Sequence, residues 1–201
     1  MRALIVVDVQ NDFMPKHWYS EGGVRARKIY HQGGTLPVEN GNFVVERINE
    51  AMRDFELVIL TQDWHPETHC SFMQYGGLHP IHCVQNSWGA QFHPLLDTTK
   101  AILTVRKGFR VSVDSYSGMK ENVNKAGVRL PTGLEGALHN LGVYEVYCGG
   151  LAEDFCVGET ARDAAKAGFK SFIIRDLTYP VFPEKVAAYR NSLVADNVTY
   201  I

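Results

Sequence analysis

Apolar residues in this chain fall into short continuous runs separated by stretches with a helical rhythm. Arg2 to Val9 is a nearly unbroken β-branched run, the signature of a strand buried on both faces. Leu57–Thr61, Ala101–Val105, Val143–Cys148 and Lys170–Ile174 read the same way, and Val198–Ile201 predicts a final strand. Between them lie helical patterns. Gly41 to Phe55 places Val44, Ile48, Ala51, Met52 and Phe55 on one side. Leu134–Leu141 and Glu184–Ala195 predict two more helices. Cys156–Ala167 predicts another, closed by Gly168 as a C-terminal stop. Buried strands alternating with helices predict a three-layer α/β/α fold with a mainly parallel, Rossmann-like sheet of about six strands.

Length and composition narrow the class. A chain of 201 residues with 45% hydrophobic and 21% charged residues suits one globular domain spanning 1–201. The formal net charge is -2 and the basic residues are scattered, so no basic stripe marks a nucleic-acid binder. The apolar runs are far shorter than the ~20 residues of a membrane span, which argues against a membrane partner. The first run is broken by Asp8 and lacks a small-residue cleavage site, so it does not read as a signal peptide. Four cysteines in this length argue for a reduced, cytoplasmic setting rather than a disulfide scaffold. Two stretches, 14–40 and 63–99, exceed simple connections. Long loops of this kind are usually functional or disordered. The first reads as a lid or as a contact between copies in a homo-oligomer.

Parallel sheets bind ligands beyond the carboxyl ends of their strands. Asp8 follows the first strand, Gln62-Asp63-Trp64-His65 the second, Arg106-Lys107-Gly108 the third and Gly149 to Cys156 the fourth. A carboxylate, a metal-ligand pattern, a lysine and a thiol therefore meet at one edge. Asp8 closes a buried run and needs a partner there, for which Lys107 is available. Cys156 opens a predicted helix, where backbone N–H groups and the helix dipole lower a thiol pKa. Its competing reading is a buried, inert cysteine, the commoner fate of the residue.

Asp63 and His65 are two residues apart and share one side of an extended segment. With His82 they make a three-ligand set that leaves positions open for water or substrate. Ordinary loop histidines are the plainer reading of either alone. A closed site of His69, Cys70, His82 and Cys83 is a rival, weakened because adjacent side chains rarely point the same way. His69 remains an extra or outer ligand, and His79 and His93 read as structural. Phe13, Trp64, Trp88 and Phe155 are candidates for an apolar pocket wall. For Trp88, core packing is an equal alternative.

Together, Asp8-Val9-Gln10-Asn11-Asp12-Phe13, Thr61-Gln62-Asp63-Trp64-His65-Pro66, His82-Cys83-Val84-Gln85, Arg106-Lys107-Gly108-Phe109 with Asp114-Ser115-Tyr116-Ser117-Gly118, and Gly150 to Val157 resemble the nicotinamidases. These belong to the isochorismatase-like cysteine hydrolases. The resemblance covers nearly the whole chain, in order.

It implies hydrolysis of nicotinamide to nicotinate and ammonia through a cysteine thioester, within NAD salvage. Cys156 would be the nucleophile, Asp8 the base and Lys107 the third catalytic member. The N–H groups of Ala152 and Cys156 would form the oxyanion hole, after a cis peptide between Leu151 and Ala152. Of the pocket-wall candidates read from position, Phe13, Trp64 and Phe155 are those expected to contact the substrate. Asp63, His65 and His82 would hold a divalent metal, usually zinc, sometimes iron or manganese. The alternative is a relative acting on another small amide, a carbamoyl compound or isochorismate, which usually lacks the metal set. The chain departs from the pattern at His79, where tryptophan is common, and at Glu153, where threonine is common. Both departures predict a changed pocket wall or charge. The stretch from Lys16 to Thr35 is longer than usual.

Overall fold

In the computed structural model, which describes residues 1–21 and 27–201, the predicted alternation of strands and helices is realised. Along the chain run β1 (Arg2–Val7), β2 (His17–Glu21), β3 (Arg27–His31), α1 (Val44–Ala51), β4 (Leu57–Asp63) and β5 (Leu103–Lys107). Then follow α2 (Leu134–Asn140), β6 (Glu145–Leu151), α3 (Gly158–Lys166), β7 (Lys170–Tyr179), α4 (Val186–Ala195) and β8 (Val198–Tyr200). Six strands form one sheet in the order β5-β4-β1-β6-β7-β8, every neighbouring pair parallel.

Period-two alternation in β1 splits the core in two. Ala3, Ile5 and Val7 pack with Leu134 and Leu138 of α2, Ala161 and Ala164 of α3, and Leu193 of α4. Leu4 and Val6 face the other way, onto Val44 and Ile48 of α1 and onto Met52. Helices therefore cover both faces. β1 stands between the half that the chain builds outward through β4 and β5 and the half it builds through β6, β7 and β8. That reversal between β1 and β6 is a topological switch point, where such sheets bind ligands.

Several boundaries differ from the sequence reading. β1 ends at Val7, because Asp8 turns into left-handed backbone (φ 49°). β6 starts at Glu145 and runs on to Leu151. The helical backbone is broken at Phe155 (φ -134°, ψ -106°), so Cys156 and Val157 lead directly into α3, as expected of a helix starting at Cys156. In the stretch from Lys16 to Thr35, β2 and β3 form an antiparallel pair apart from the main sheet. Its residues 22–26 lie outside the described part. Among the described residues no helix is long and apolar enough to cross a membrane.

Candidate active site

The floor of the site is built from strand ends. Asp8 is fully buried, and its Oδ1 accepts a 2.6 Å hydrogen bond from the Thr61 hydroxyl of β4. Lys107 ends β5 and is also wholly buried. Its Nζ lies 2.8 Å from Asp8 Oδ2, 2.5 Å from Asp63 Oδ1, 2.8 Å from the Ser115 carbonyl and 3.3 Å from Cys156 Sγ. An ammonium has three protons, so four acceptors crowd one donor group. Sheet register explains one of these contacts directly, since Asp63 and Lys107 are paired residues of β4 and β5. Gln10 stitches β1 to the same point: its amide donates to the Asp63 carbonyl and accepts from the Asp63 N–H, both at 2.8 Å.

Burial and mutual charge set the protonation states. Burial pulls Lys107 toward neutrality, but Asp63 and Asp8 overcome it and raise its pKa well above normal. Burial alone would raise Asp63, but Lys107 and His65 hold it below the usual carboxylate range. At Asp8 burial prevails over Lys107 and the pKa is raised. Burial also pushes the Cys156 thiol well up; Lys107 opposes this, while Asp8 and Asp63 add to it. The resting floor therefore holds a charged lysine, a charged Asp63 and a neutral thiol beside a carboxyl group of raised basicity. The direction of the Cys156 shift is opposite to the lowering expected at a helix start. Cys156 stands at the start of α3 but is buried beside two carboxylates, and these outweigh the helix terminus.

Asp63, His65 and His82 offer ligand atoms that all lie within 4.8 Å of one another. His65 Nδ1 is 2.9 Å from the Gly108 carbonyl, and His82 Nδ1 is 2.8 Å from the Pro80 carbonyl. These contacts fix each ring and leave Nε2 for the shared centre, the arrangement a metal-binding histidine needs. Gly108 allows it: at φ +63° it lies so close that a Cβ there would sit 2.4 Å from His65 Cε1. Burial and the neighbouring His65 bring the His82 pKa down to about 4, so this ring is neutral at physiological pH. The buried donor set fits a divalent cation. His69 stacks on His65, with centroids 4.1 Å apart, and its ring nitrogens face Ser71 Oγ and the Val113 carbonyl. It supports the set from behind. Among the described residues, no potential metal-binding group of three includes Cys70 or Cys83.

Above this floor opens a cavity of about 370 Å³. Asp63 and His82 line one part of it; Ala152, Phe155 and Cys156 line another, and Phe13 and Tyr116 also reach it. A family model for the isochorismatase domain matches residues 2–199.

The chain belongs to the isochorismatase family.

It is 40% identical over 190 residues to a nicotinamidase from Acinetobacter baylyi, covering 87% of this chain and 79% of that protein. The structure of PnC1 from L. infantum in complex with nicotinate is 38% identical, with a TM-score of 0.86 over 100% of this chain and 92% of that one. A pyrazinamidase of Pyrococcus horikoshii in complex with zinc is 34% identical, with a TM-score of 0.79 over 100% and 98%. These relatives make the chain an amidohydrolase of the isochorismatase family.

Within this family member, some expected site residues lie elsewhere. Trp64 does not line the cavity; its ring lies under the Arg106 guanidinium, 3.8 Å from centroid to Cζ. Glu153 is buried but turned away, bound by Arg190 at 2.6 and 2.8 Å, so its charge is spent outside the pocket. Trp88 is half exposed, tilted against His31 rather than packed in the core. His79, read as structural, lines the cavity and contacts the Tyr116 hydroxyl at 3.1 Å. The peptide between Leu151 and Ala152 is cis. Sequence reasoning missed Thr61, Gln10, Ser115 and Tyr116. All four lie within the motifs quoted above, without an assigned role. It also missed Asp12, whose Oδ2 accepts the Cys83 N–H at 2.7 Å and so fixes the backbone beside His82.

Proposed function

We propose that this isochorismatase-family amidohydrolase converts nicotinamide to nicotinate and ammonia, with Cys156 as nucleophile, in cytoplasmic NAD salvage. The observation that carries the reading is the meeting of Cys156 Sγ, Asp8 and Lys107 in one buried cluster beside the Asp63–His65–His82 set. The relatives named above support the choice of substrate.

Asp8, whose raised pKa makes it an apt base, accepts the thiol proton. Cys156 Sγ then bonds to the carboxamide carbon. The oxyanion that forms is held by the N–H groups of Ala152 and Cys156. As the carbon–nitrogen bond breaks, Asp8 returns its proton to the leaving amine, which departs as ammonia. A water then adds to the thioester while Asp8 takes a proton from it. The carbon–sulfur bond breaks, Asp8 reprotonates the thiol, and nicotinate is released. Lys107 holds Asp8 in place and offsets charge on sulfur during both steps. Asp63, His65 and His82 would hold a divalent cation, zinc first among iron and manganese, whose chemistry when bound is to anchor the pyridine nitrogen.

Metal-loaded protein is expected to release ammonia from nicotinamide, and a chelator to stop it. Cys156→Ala should lower the rate by on the order of 10⁴-fold while the circular dichroism spectrum is kept. No ammonia from fully loaded protein would refute the reading.

A further inference from the structure

The turn that carries Cys156 is clamped from outside the site. Glu153 begins it and is 1% exposed, yet its carboxylate points away from the thiol. Both of its oxygens are taken by Arg190 of α4: Oε1 by Nε at 2.6 Å and Oε2 by Nη2 at 2.8 Å. A fork-to-fork pair of this kind fixes orientation as well as position. The Arg190 guanidinium is held in turn over the Tyr200 ring of β8, 5.7 Å from its centroid. The preceding α4 residue, Tyr189, touches the same turn. A Cβ on Gly158 would sit 2.5 Å from Tyr189 Oη and 2.7 Å from the Glu153 carbonyl, so α4 and the turn close together over Gly158. Asp154 is fixed twice as well, accepting the N–H groups of Val181 and Phe182 at 2.8 Å each. The two residues following Ala152 are thus anchored to separate parts of the fold, and Cys156 hangs between them and α3.

We infer that Arg190, by clamping the buried carboxylate of Glu153, is a positioning residue that holds the Cys156 turn in register with Asp8 and Lys107. This rests on the proposed nicotinamide hydrolysis. The sulfur must sit within reach of both Asp8 and the substrate carbon, and small misplacements of such atoms are costly. Arg190 touches neither substrate nor sulfur, so its contribution passes entirely through the turn.

A merely structural ion pair behaves differently, and the fold supplies one for comparison. Arg129 and Asp163 form an equally bidentate pair at 2.8 and 2.7 Å, with Asp163 3% exposed, but on α3 rather than on the turn. The test compares two double variants, E153L/R190M and D163L/R129M, each removing a pair without stranding a buried charge. With metal content matched, E153L/R190M should lose about 10–100-fold in kcat on nicotinamide with KM little changed. D163L/R129M should keep wild-type kcat. Wild-type kcat in folded E153L/R190M would overturn the inference. Should that variant not fold, R190K keeps the charge but loses the fork, and kcat equal to wild type there would overturn it too. If the wild-type protein itself releases no ammonia, the hydrolysis reading fails instead. The rate of Cys156 alkylation by iodoacetamide then decides: a change in E153L/R190M or R190K but not in D163L/R129M upholds the clamp, and no change overturns it.

Discussion

The floor of the cavity and its mouth are built on different terms. Lys107 is 0% exposed and touches four acceptors contributed by the residue after β1, by β4, the loop after β5 and the turn after β6. Leu78, on the rim, is 83% exposed, and the rest of the mouth comes from loop residues such as Leu36, Pro80 and Phe182. Strand ends cannot move without breaking sheet register, whereas loop residues are replaced with little effect on the core. The reaction is therefore committed by the sheet and the choice of substrate by the loops. That division has measurable consequences, and each substitution below is a way to break it.

The largest effect is expected at Lys107. Lys107→Met leaves Asp8 and Asp63 buried together without their shared cation. Removing one partner of a buried charge cluster costs about 3–5 kcal/mol. Urea denaturation should show that loss, and ammonia release should vanish. Unchanged stability would mean that the floor is not held by this charge. Next comes Gly108→Ala, whose new Cβ would collide with His65 at 2.4 Å. Disturbing the support of a metal-binding histidine typically weakens affinity by about 10–100-fold, and titration with zinc reads this directly. At the mouth, His79→Ala removes one loop side chain and its contact with Tyr116. KM should move more than kcat, with stability changed by less than about 1 kcal/mol. A collapse of kcat would erase the distinction between floor and mouth.

A separate effect, on stability alone, is expected at His93. Burial, reinforced by His31 and His17, lowers its pKa to about 3 from an ordinary 6.5. Between those values the unfolded chain binds a proton there and the folded chain does not. Stability from this group is thus fully present above pH 6.5 and is lost as pH falls toward 3. Urea midpoints should drop between pH 7 and pH 5, and His93→Gln should flatten that drop. An equally steep drop in the variant would remove His93 from the account.

The same division explains what could be read from sequence. Buried β-branched runs defined the strands, and the strand ends gave Asp8, Asp63, Lys107 and the approach to Cys156. Contacts made across the register were less legible: Asp63 read as a metal ligand, and only its pairing with Lys107 in adjacent strands revealed a second role. Cys156 was visible as chemistry but not as environment. Local pattern locates the helix start but not the burial and the two carboxylates beside Cys156, which turn its pKa shift upward. Trp64 and Glu153 were misplaced because their partners are distant: Arg106 lies on β5 and Arg190 on α4. The mouth was the least legible part, because loop residues such as Leu78, His79 and Tyr116 follow no periodicity that fixes their direction.

Rapid quenching of a single turnover, with metal-loaded protein in excess over nicotinamide, tests the central claim most directly. The account predicts a nicotinoyl group on the peptide containing Cys156, formed as ammonia appears and lost as nicotinate appears. Ammonia and nicotinate rising together, with no label on Cys156 at any quench time, would contradict it.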